Sequence, residues 1–512
     1  MNSTLKLFFA ALFTFAVALY VEFFMGNIPN KEYLILASLF GAYMAMNIGA
    51  NDVANNVGPA VGSGALTMFW AIAIAAIFEF LGAILAGGNV VGTIKKGIIS
   101  IDAFGGDPMI FVETMSAALL AAALWLNLAT WLKAPVSTTH SIVGGVMGAG
   151  IVAGGFSIVS WSTMGAIVAS WVVSPLLGGI IAAIILYIIK SKILYQDDKI
   201  TAARTVVPWL VAFMVAIFTG YLVLKGLKHV WGNIVPFIPF VTNGPKPSFL
   251  LVLFLGVLFG VASYFLVRPR IEKRIALIGD MRSDLNTLFT IPLIFSGALL
   301  SFAHGANDVA NAIGPLAAVA DALVRQGVEI EASIPLWVMI VGGAGIAIGL
   351  GLYGPRLIRT VGSEITELDQ MRAFSIMMAA AITVLIASQL GLPVSSTHIA
   401  VGGIFGVGFL REWLDSKQAN EKQKKLNIEA ERLEQLKVAL DEVDEDNYKE
   451  QIELLDAIKG QKKKVKKIKK VLREAYIKRG MVKKIIAAWL ITVPASAVLS
   501  AIIFFVLKGI SS

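Results

Sequence analysis

The chain has no cysteine, and charge is scarce in it. Without thiols there are no disulfides and no thiolate metal sites. Only 15% of its 512 residues are Asp, Glu, Lys or Arg. Those charges are unevenly spread. Residues 411–484 hold 21 of the 43 Lys/Arg and 15 of the 34 Asp/Glu, so the other 438 residues carry only 41 charges, mostly in loops. Outside that segment no basic groove interleaved with aromatics is visible, so the net charge of +9 does not point to nucleic acid. It belongs to membrane orientation instead. What the chain has in abundance is apolar surface. At 57% hydrophobic residues and a mean hydropathy of +0.77, it is too apolar for a soluble globular protein.

Stretches of about 20 nearly uncharged residues are long enough to cross a bilayer as helices. Eleven are predicted, near 5–25, 33–56, 66–88, 110–133, 161–190, 207–227, 249–267, 288–312, 334–352, 372–391 and 484–508. The first is long for a signal peptide and offers no small-residue cleavage site, so it reads as a span. The 48 glycines suit close helix packing and broken helices.

One heptapeptide occurs twice. Gly49 to Asn55 reads GANDVAN, and Gly305 to Asn311 repeats it 256 positions later; each is followed by Gly-Pro, Gly58-Pro59 and Gly314-Pro315. A second motif is doubled too. Pro135 to His140 (PVSTTH) starts 86 residues after Gly49, and Pro393 to His398 (PVSSTH) starts 88 after Gly305; each runs into Val-Gly-Gly. Two motifs doubled at nearly constant spacing mean two structural repeats. In transporters, interrupted polar segments at matching places in two halves mark the binding site.

The loops orient the chain. Lys190, Lys192, Lys199 and Arg204 lie between two spans, as do Arg268, Arg270, Lys273, Arg274 and Arg282; Arg356, Arg359 and Arg372 flank a third loop. All are placed in the cytoplasm with the Lys-rich segment, and the weakly acidic 320–333 loop outside. Residue 411 is then cytoplasmic only if the second PVS segment carries the chain back across the membrane. By symmetry the first does so as well, which makes the repeats inverted. Lys95 and Lys96 then fall outside, against the trend.

The predicted fold is an all-α polytopic membrane protein of two inverted-topology repeats. It has about 11–13 transmembrane segments, including two re-entrant or broken helical hairpins. Residues 1–190 form the first repeat, 191–248 a linker with one transmembrane helix, and 249–410 the second repeat. Residues 411–480 form a cytoplasmic charged helical insertion, and 481–512 the final helix of the second repeat. Leu433, Leu436, Leu440 and Val443 form a heptad-like stripe in the insertion, which predicts a short helical hairpin. Twelve Lys/Arg against one Glu474 between Gln461 and Lys484 make 461–484 a partner for anionic lipid headgroups.

The motifs carry chemistry. Pro followed by Ser/Thr starts a helix, and a helix starting inside the membrane turns free N–H groups and its positive dipole end to the interior. Ser137, Thr138, Thr139, Ser395, Ser396 and Thr397 could therefore converge on one tetrahedral oxyanion. The plain alternative is that they cap buried helix starts. Asp52 and Asp308, with Asn51, Asn55, Asn307 and Asn311, are hard oxygen ligands suited to Na⁺ or to a proton-linked carboxylate. Asn55 and Asn311 serve equally well as interhelical hydrogen-bond locks. Gly49 and Gly305 allow the backbone to unwind or to pack tightly. A multiply charged anion at membrane depth needs counter-charge, and no Lys or Arg lies in these motifs, which favours a cation on the aspartates. His140 and His398 are read as orienting through backbone hydrogen bonds, with proton handling as the alternative. Glu79, in mid-span, and Glu113 are accessory candidates.

The doubled GANDVAN, the doubled PVS(T/S)TH with its Val-Gly-Gly, and Gly92 to Ile98 (GTIKKGI) closely resemble the inorganic phosphate transporter (PiT) family. The resemblance covers roughly 33–160 and 288–410. It implies a secondary transporter, not an enzyme, that symports inorganic phosphate with Na⁺ or H⁺ in the cell membrane. It implies no cofactor beyond the transported ion. On the resemblance, the six hydroxyl residues serve phosphate, and Asn51, Asp52, Asn307 and Asp308 serve the cation, with sodium at Asp52 and Asp308. The intact GANDVAN in both halves leans towards Na⁺. A homodimer is a possible assembly. Alternatives are a sulfate or metal-phosphate permease of the same fold and, in other classes, an anion channel or a membrane phosphatase. A phosphatase would bring Arg or a metal cluster to its transition state, and neither is visible in the motifs.

Overall fold

The computed structural model describes residues 2–511 except 100–103, 105–106, 133, 135, 227–230, 232–235, 237–246, 280, 326–333, 365–367, 415, 444–446 and 475–478. The described chain is helical, and eleven of its helical segments are long and apolar enough to cross a membrane. They coincide with the eleven predicted spans.

The first half comprises α1 (Ser3–Phe24), α2 (Lys31–Asn51), α3 (Val53–Gly62), α4 (Met68–Ala86), α5 (Gly88–Gly92), α6 (Pro108–Trp131), α7 (Thr138–Gly154) and α8 (Trp161–Ile189). Between the halves run α9 (Lys199–Tyr221) and α10 (Phe249–Ile275), which pack on each other, and the short α11 (Arg282–Asn286). The second half holds α12 (Thr290–Asp308), α13 (Ala310–Arg325), α14 (Leu336–Glu364), α15 (Gln370–Gln389) and α16 (Ser396–Leu414). The charged module follows as α17 (Ser416–Asp441) and α18 (Tyr448–Glu474), and α19 (Arg479–Ser511) ends the chain. In the module α17 and α18 form a hairpin, with Gln461 Nε2 donating to the Glu429 carbonyl at 2.9 Å. The side chains of residues 471–485, most of the basic stretch assigned to lipid headgroups, lie outside the described set.

The two halves are built into one another. The motif helix α2 packs on α14 of the second half, and its counterpart α12 packs on α4 of the first. In the same way α8 packs on α16 and α19 on α7, so each half lends a helix to the other's hydroxyl motif. Glycine permits the tightest of these crossings. A Cβ on Gly49 would collide with the Ile346 carbonyl, and one on Gly305 with the Glu79 carbonyl. Small residues at such crossings let helix backbones approach where apolar burial offers no net drive, because lipid is as apolar as the core. Of the two uses open to these glycines, close packing is the one seen, since α2 and α12 stay helical through them. The helices break three or four residues later, at Asp52 and at Val309.

Large apolar side chains face outward along α1, α8 and α10, among them Phe23, Phe24, Leu176, Leu250 and Phe265. The polar motif residues are buried in the centre. This is the inverse of a soluble protein and fits a hydrocarbon surround. Two loop assignments need correction. Lys95 is not a free outer charge: it is buried, with Nζ 3.0 Å from Asp321 Oδ2. Asp321 is not in a loop either, because α13 runs on to Arg325 and buries it. A paired, buried lysine contributes little to the positive-inside bias, which removes the objection it raised.

Candidate functional site

Each PVS segment approaches extended and then starts a helix inside the protein. Ser137 and Ser395 are the caps, accepting from the backbone N–H of His140 at 3.1 Å and of His398 at 3.3 Å. Pro135 lies outside the described residues. The approach is held by the first Asn of each GANDVAN. Asn51 Oδ1 accepts from Thr130 Oγ1 at 2.9 Å while its Nδ2 donates to the Val136 carbonyl at 3.3 Å and to Asp52 Oδ1 at 3.2 Å, and Asn307 Nδ2 donates to Ser388 Oγ at 2.9 Å and to the Leu392 carbonyl at 3.1 Å. Val394 N–H donates back to Asn307 Oδ1 at 3.3 Å. These two amides, assigned to the cation from sequence, are therefore engaged in fixing the strands of chain that present the hydroxyls.

The aspartates meet those hydroxyls. Thr138 Oγ1 donates to Asp52 Oδ2 at 2.7 Å, and Ser396 Oγ to Asp308 Oδ2 at 3.3 Å. The second Asn of each motif crosses to the opposite half. Asn55 Nδ2 donates to Thr397 Oγ1 at 2.8 Å, and Asn311 Nδ2 to Thr138 Oγ1 and Thr139 Oγ1, both at 3.1 Å. Thr397 Oγ1 also points at Asp52 Oδ1, 3.5 Å away. Thr139 Oγ1 donates to the Val394 carbonyl of the other approach at 2.9 Å. Two carboxylates, two amides and four hydroxyls thus form one buried cluster stitched across the halves.

His304 completes the cluster, and the sequence reading missed it. Its Nδ1 lies 2.8 Å from Glu79 Oε2 and its Nε2 2.8 Å from Asp308 Oδ2, with all three groups buried. Asn56 Nδ2 donates to the other Glu79 oxygen at 2.7 Å. Ligand atoms of Asp52, His304 and Asp308 lie within 4.8 Å of one another. The signal was present in the repeats. The position matching His304 is Ile48, and the residue whose carbonyl meets Gly49, as Glu79's meets Gly305, is Ile346. The pair is thus where the two halves differ most in polarity around otherwise equal motifs.

The other accessory residues lie elsewhere. Glu113 is buried on α6, about 25 Å along that helix from Thr130. His140 and His398 stack on tryptophans: His140 on Trp171 with centroids 3.8 Å apart, His398 on Trp489 at 3.4 Å. The two imidazoles meet edge to face at 4.4 Å. They border an apolar cavity of about 980 Å³ between α8, α16 and α19, whose lining includes neither aspartate.

Comparison with known proteins gives the family. A protein of Helicobacter pylori named as a phosphate permease is 49% identical over 525 aligned positions, spanning 99% of this chain and 96% of its own. Its alignment includes the charged module. A Pyrococcus abyssi protein named likewise is 40% identical over 380 positions, spanning 74% of this chain and 89% of its own. A solved structure described as the sodium-dependent phosphate transporter matches with a TM-score of 0.74 at 32% identity, covering 94% of this chain and 100% of that one. The profile of the phosphate transporter family matches residues 48–500, and the chain belongs to that family, the PiT phosphate transporters, which are permeases and not enzymes.

Proposed function

We propose that the protein imports inorganic phosphate by symport with Na⁺, through alternating access of two inverted repeats around the buried cluster. The observation that carries this is the engagement of the hydroxyls with the carboxylates. Thr138 and Thr397 point their hydrogens at Asp52, and Ser396 points its own at Asp308. Those same hydroxyls are the donors a phosphate would need. A cation on Asp52 and Asp308 satisfies the carboxylates, releases the hydroxyls and leaves them free to donate to the anion beside it. Cation and phosphate then bind better together than apart, which is the thermodynamic content of coupling. Carboxylates this close repel one another unless a positive charge lies between them, and their hard oxygens suit Na⁺. The sodium-dependent neighbour supports the same choice.

Phosphate uptake into proteoliposomes under an imposed Na⁺ or H⁺ gradient tests it. Accumulation driven by inward Na⁺ is the expected result. Accumulation driven only by H⁺ would transfer the coupling role to protons, and downhill flux alone would make the protein a channel. Competition by sulfate settles the anion.

Two further expectations follow from this reading. Thr138→Val and Ser396→Ala should each raise the phosphate KM by about ten- to a hundred-fold, the worth of one hydrogen bond to a charged group. The double variant should be non-additive because the two share a ligand. Unchanged KM in both would reduce the hydroxyls to helix caps. For orientation, tags at 195–200 and 415–455 should both be shielded from outside in intact cells. External labelling of either overturns the orientation, and labelling of only one overturns the inverted-repeat count.

A further inference from the structure

A second cavity, of about 910 Å³, lies between α1, α2, α6 and α14. Lys6, Tyr43, Asn47, Thr130, Tyr353 and Arg356 supply its polar lining, and no acidic residue contributes to it among the described residues. Lys6 Nζ stands 5.4 Å over the Tyr353 ring. Ala50 of the first GANDVAN lines it too, beside Thr130. Thr130 is the residue bonded to Asn51, the neighbour of Asp52. The cavity therefore joins two cationic side chains to the edge of the buried cluster.

The matching place in the second half is closed. Phe302 stands where Met46 lines the cavity, and Ser388 stands where Thr130 does. Phe302 is buried, in edge contact with Phe218 of α9 at 5.2 Å and with Tyr221 at 6.3 Å. So α9 plugs one side with aromatic rings, whereas α1 leaves the other open and lines it with Lys6. Helix α1 precedes residue 48, where the family profile begins.

We propose that this cavity is an anion vestibule, where a phosphate group docks against Lys6 and Arg356 on its path to or from the hydroxyl helices. The inference rests on the phosphate-transport reading above. A cleft of one charge sign with low-dielectric walls concentrates the opposite ion and speeds its encounter with the site. The phosphate group could belong to the free ion or to a lipid headgroup, since α1 has an exposed apolar flank. Its continuity with the motif residues favours the free ion.

The test is ³²P-phosphate transport in proteoliposomes of zwitterionic lipid, measured from each face. Lys6→Gln and Arg356→Gln should each raise KM by about three-fold and together by about ten-fold, with the maximal rate unchanged. The effect should shrink as salt rises, because charges more than about 10 Å apart are screened at 0.1 M. Lys6→Arg and Arg356→Lys should behave as wild type, which separates charge from folding. No phosphate transport by the wild type overturns the functional reading and this one with it. Wild-type transport with an unmoved KM in the double variant from both faces overturns this one alone. If KM in the wild type rises with added anionic phospholipid, and only that dependence disappears in the double variant, the cavity holds a lipid headgroup and the free-phosphate role fails.

Discussion

Asp52→Asn and Asp308→Asn should each cut Na⁺-driven phosphate uptake by about a hundred-fold or more, with the protein still inserted in the membrane. That loss corresponds to about 3 kcal/mol, within the range for deleting one partner of a buried charge pair. Asn keeps the shape of Asp and can still accept from Thr138 or Ser396, so the fold should survive. What it cannot do is neutralise a cation. The two variants should also differ. Asp52 is bonded to hydroxyls of both halves, Thr138 and Thr397, so its loss should raise the phosphate KM as well as the Na⁺ requirement. Asp308 shares its oxygen between Ser396 and His304, so its replacement also strands the imidazole. Measuring uptake against Na⁺ at several phosphate concentrations separates the two. Normal Na⁺ dependence in either variant removes that aspartate from the cation site.

How much of this was legible in the sequence follows from where the signals repeat. GANDVAN and the PVS motifs stand out because each occurs twice at nearly the same spacing, and the spans stand out because lipid demands long uncharged helices. Nothing in one sequence says that Asn55 reaches Thr397, or that Asn311 reaches Thr138 and Thr139. Those bonds join residues some 170 to 340 positions apart and form only where the two halves pack together. Asn51 and Asn307 carry a further task for a related reason. The extended backbone before each hydroxyl helix has its own polar groups to satisfy, and these amides satisfy some of them. Lys95 and Asp321 looked like loop charges because a buried ion pair between distant segments leaves no mark in either one. Glu79 did leave a mark, a carboxylate in mid-span. Its partner His304 stands just outside the repeated heptapeptide, opposite Ile48, so the repeat itself does not mark it.

That pair supports the second large expectation. His304→Ile should destabilise the protein by about 3–5 kcal/mol, because it leaves one oxygen of the buried Glu79 carboxyl without its partner, Asn56 holding only the other. Glu79→Ile should cost a similar amount by leaving His304 bonded on one side only. The double variant should recover much of the loss, since the equivalent crossing of α2 and α14 already pairs two apolar residues, Ile48 and Ile346. Coupling of that size is what residues in direct contact show and distant ones do not. Thermal unfolding in detergent gives the four corners of the cycle. Transport should part company with stability: the double variant should fold well yet bind Na⁺ weakly, because Asp308 loses the group that sits 2.8 Å from its Oδ2 and holds it toward Asp52. Additive stabilities would mean that the two side chains are only neighbours. A double variant with wild-type Na⁺ affinity would mean that the pair serves packing alone, and that the difference between the halves at this point has no part in coupling.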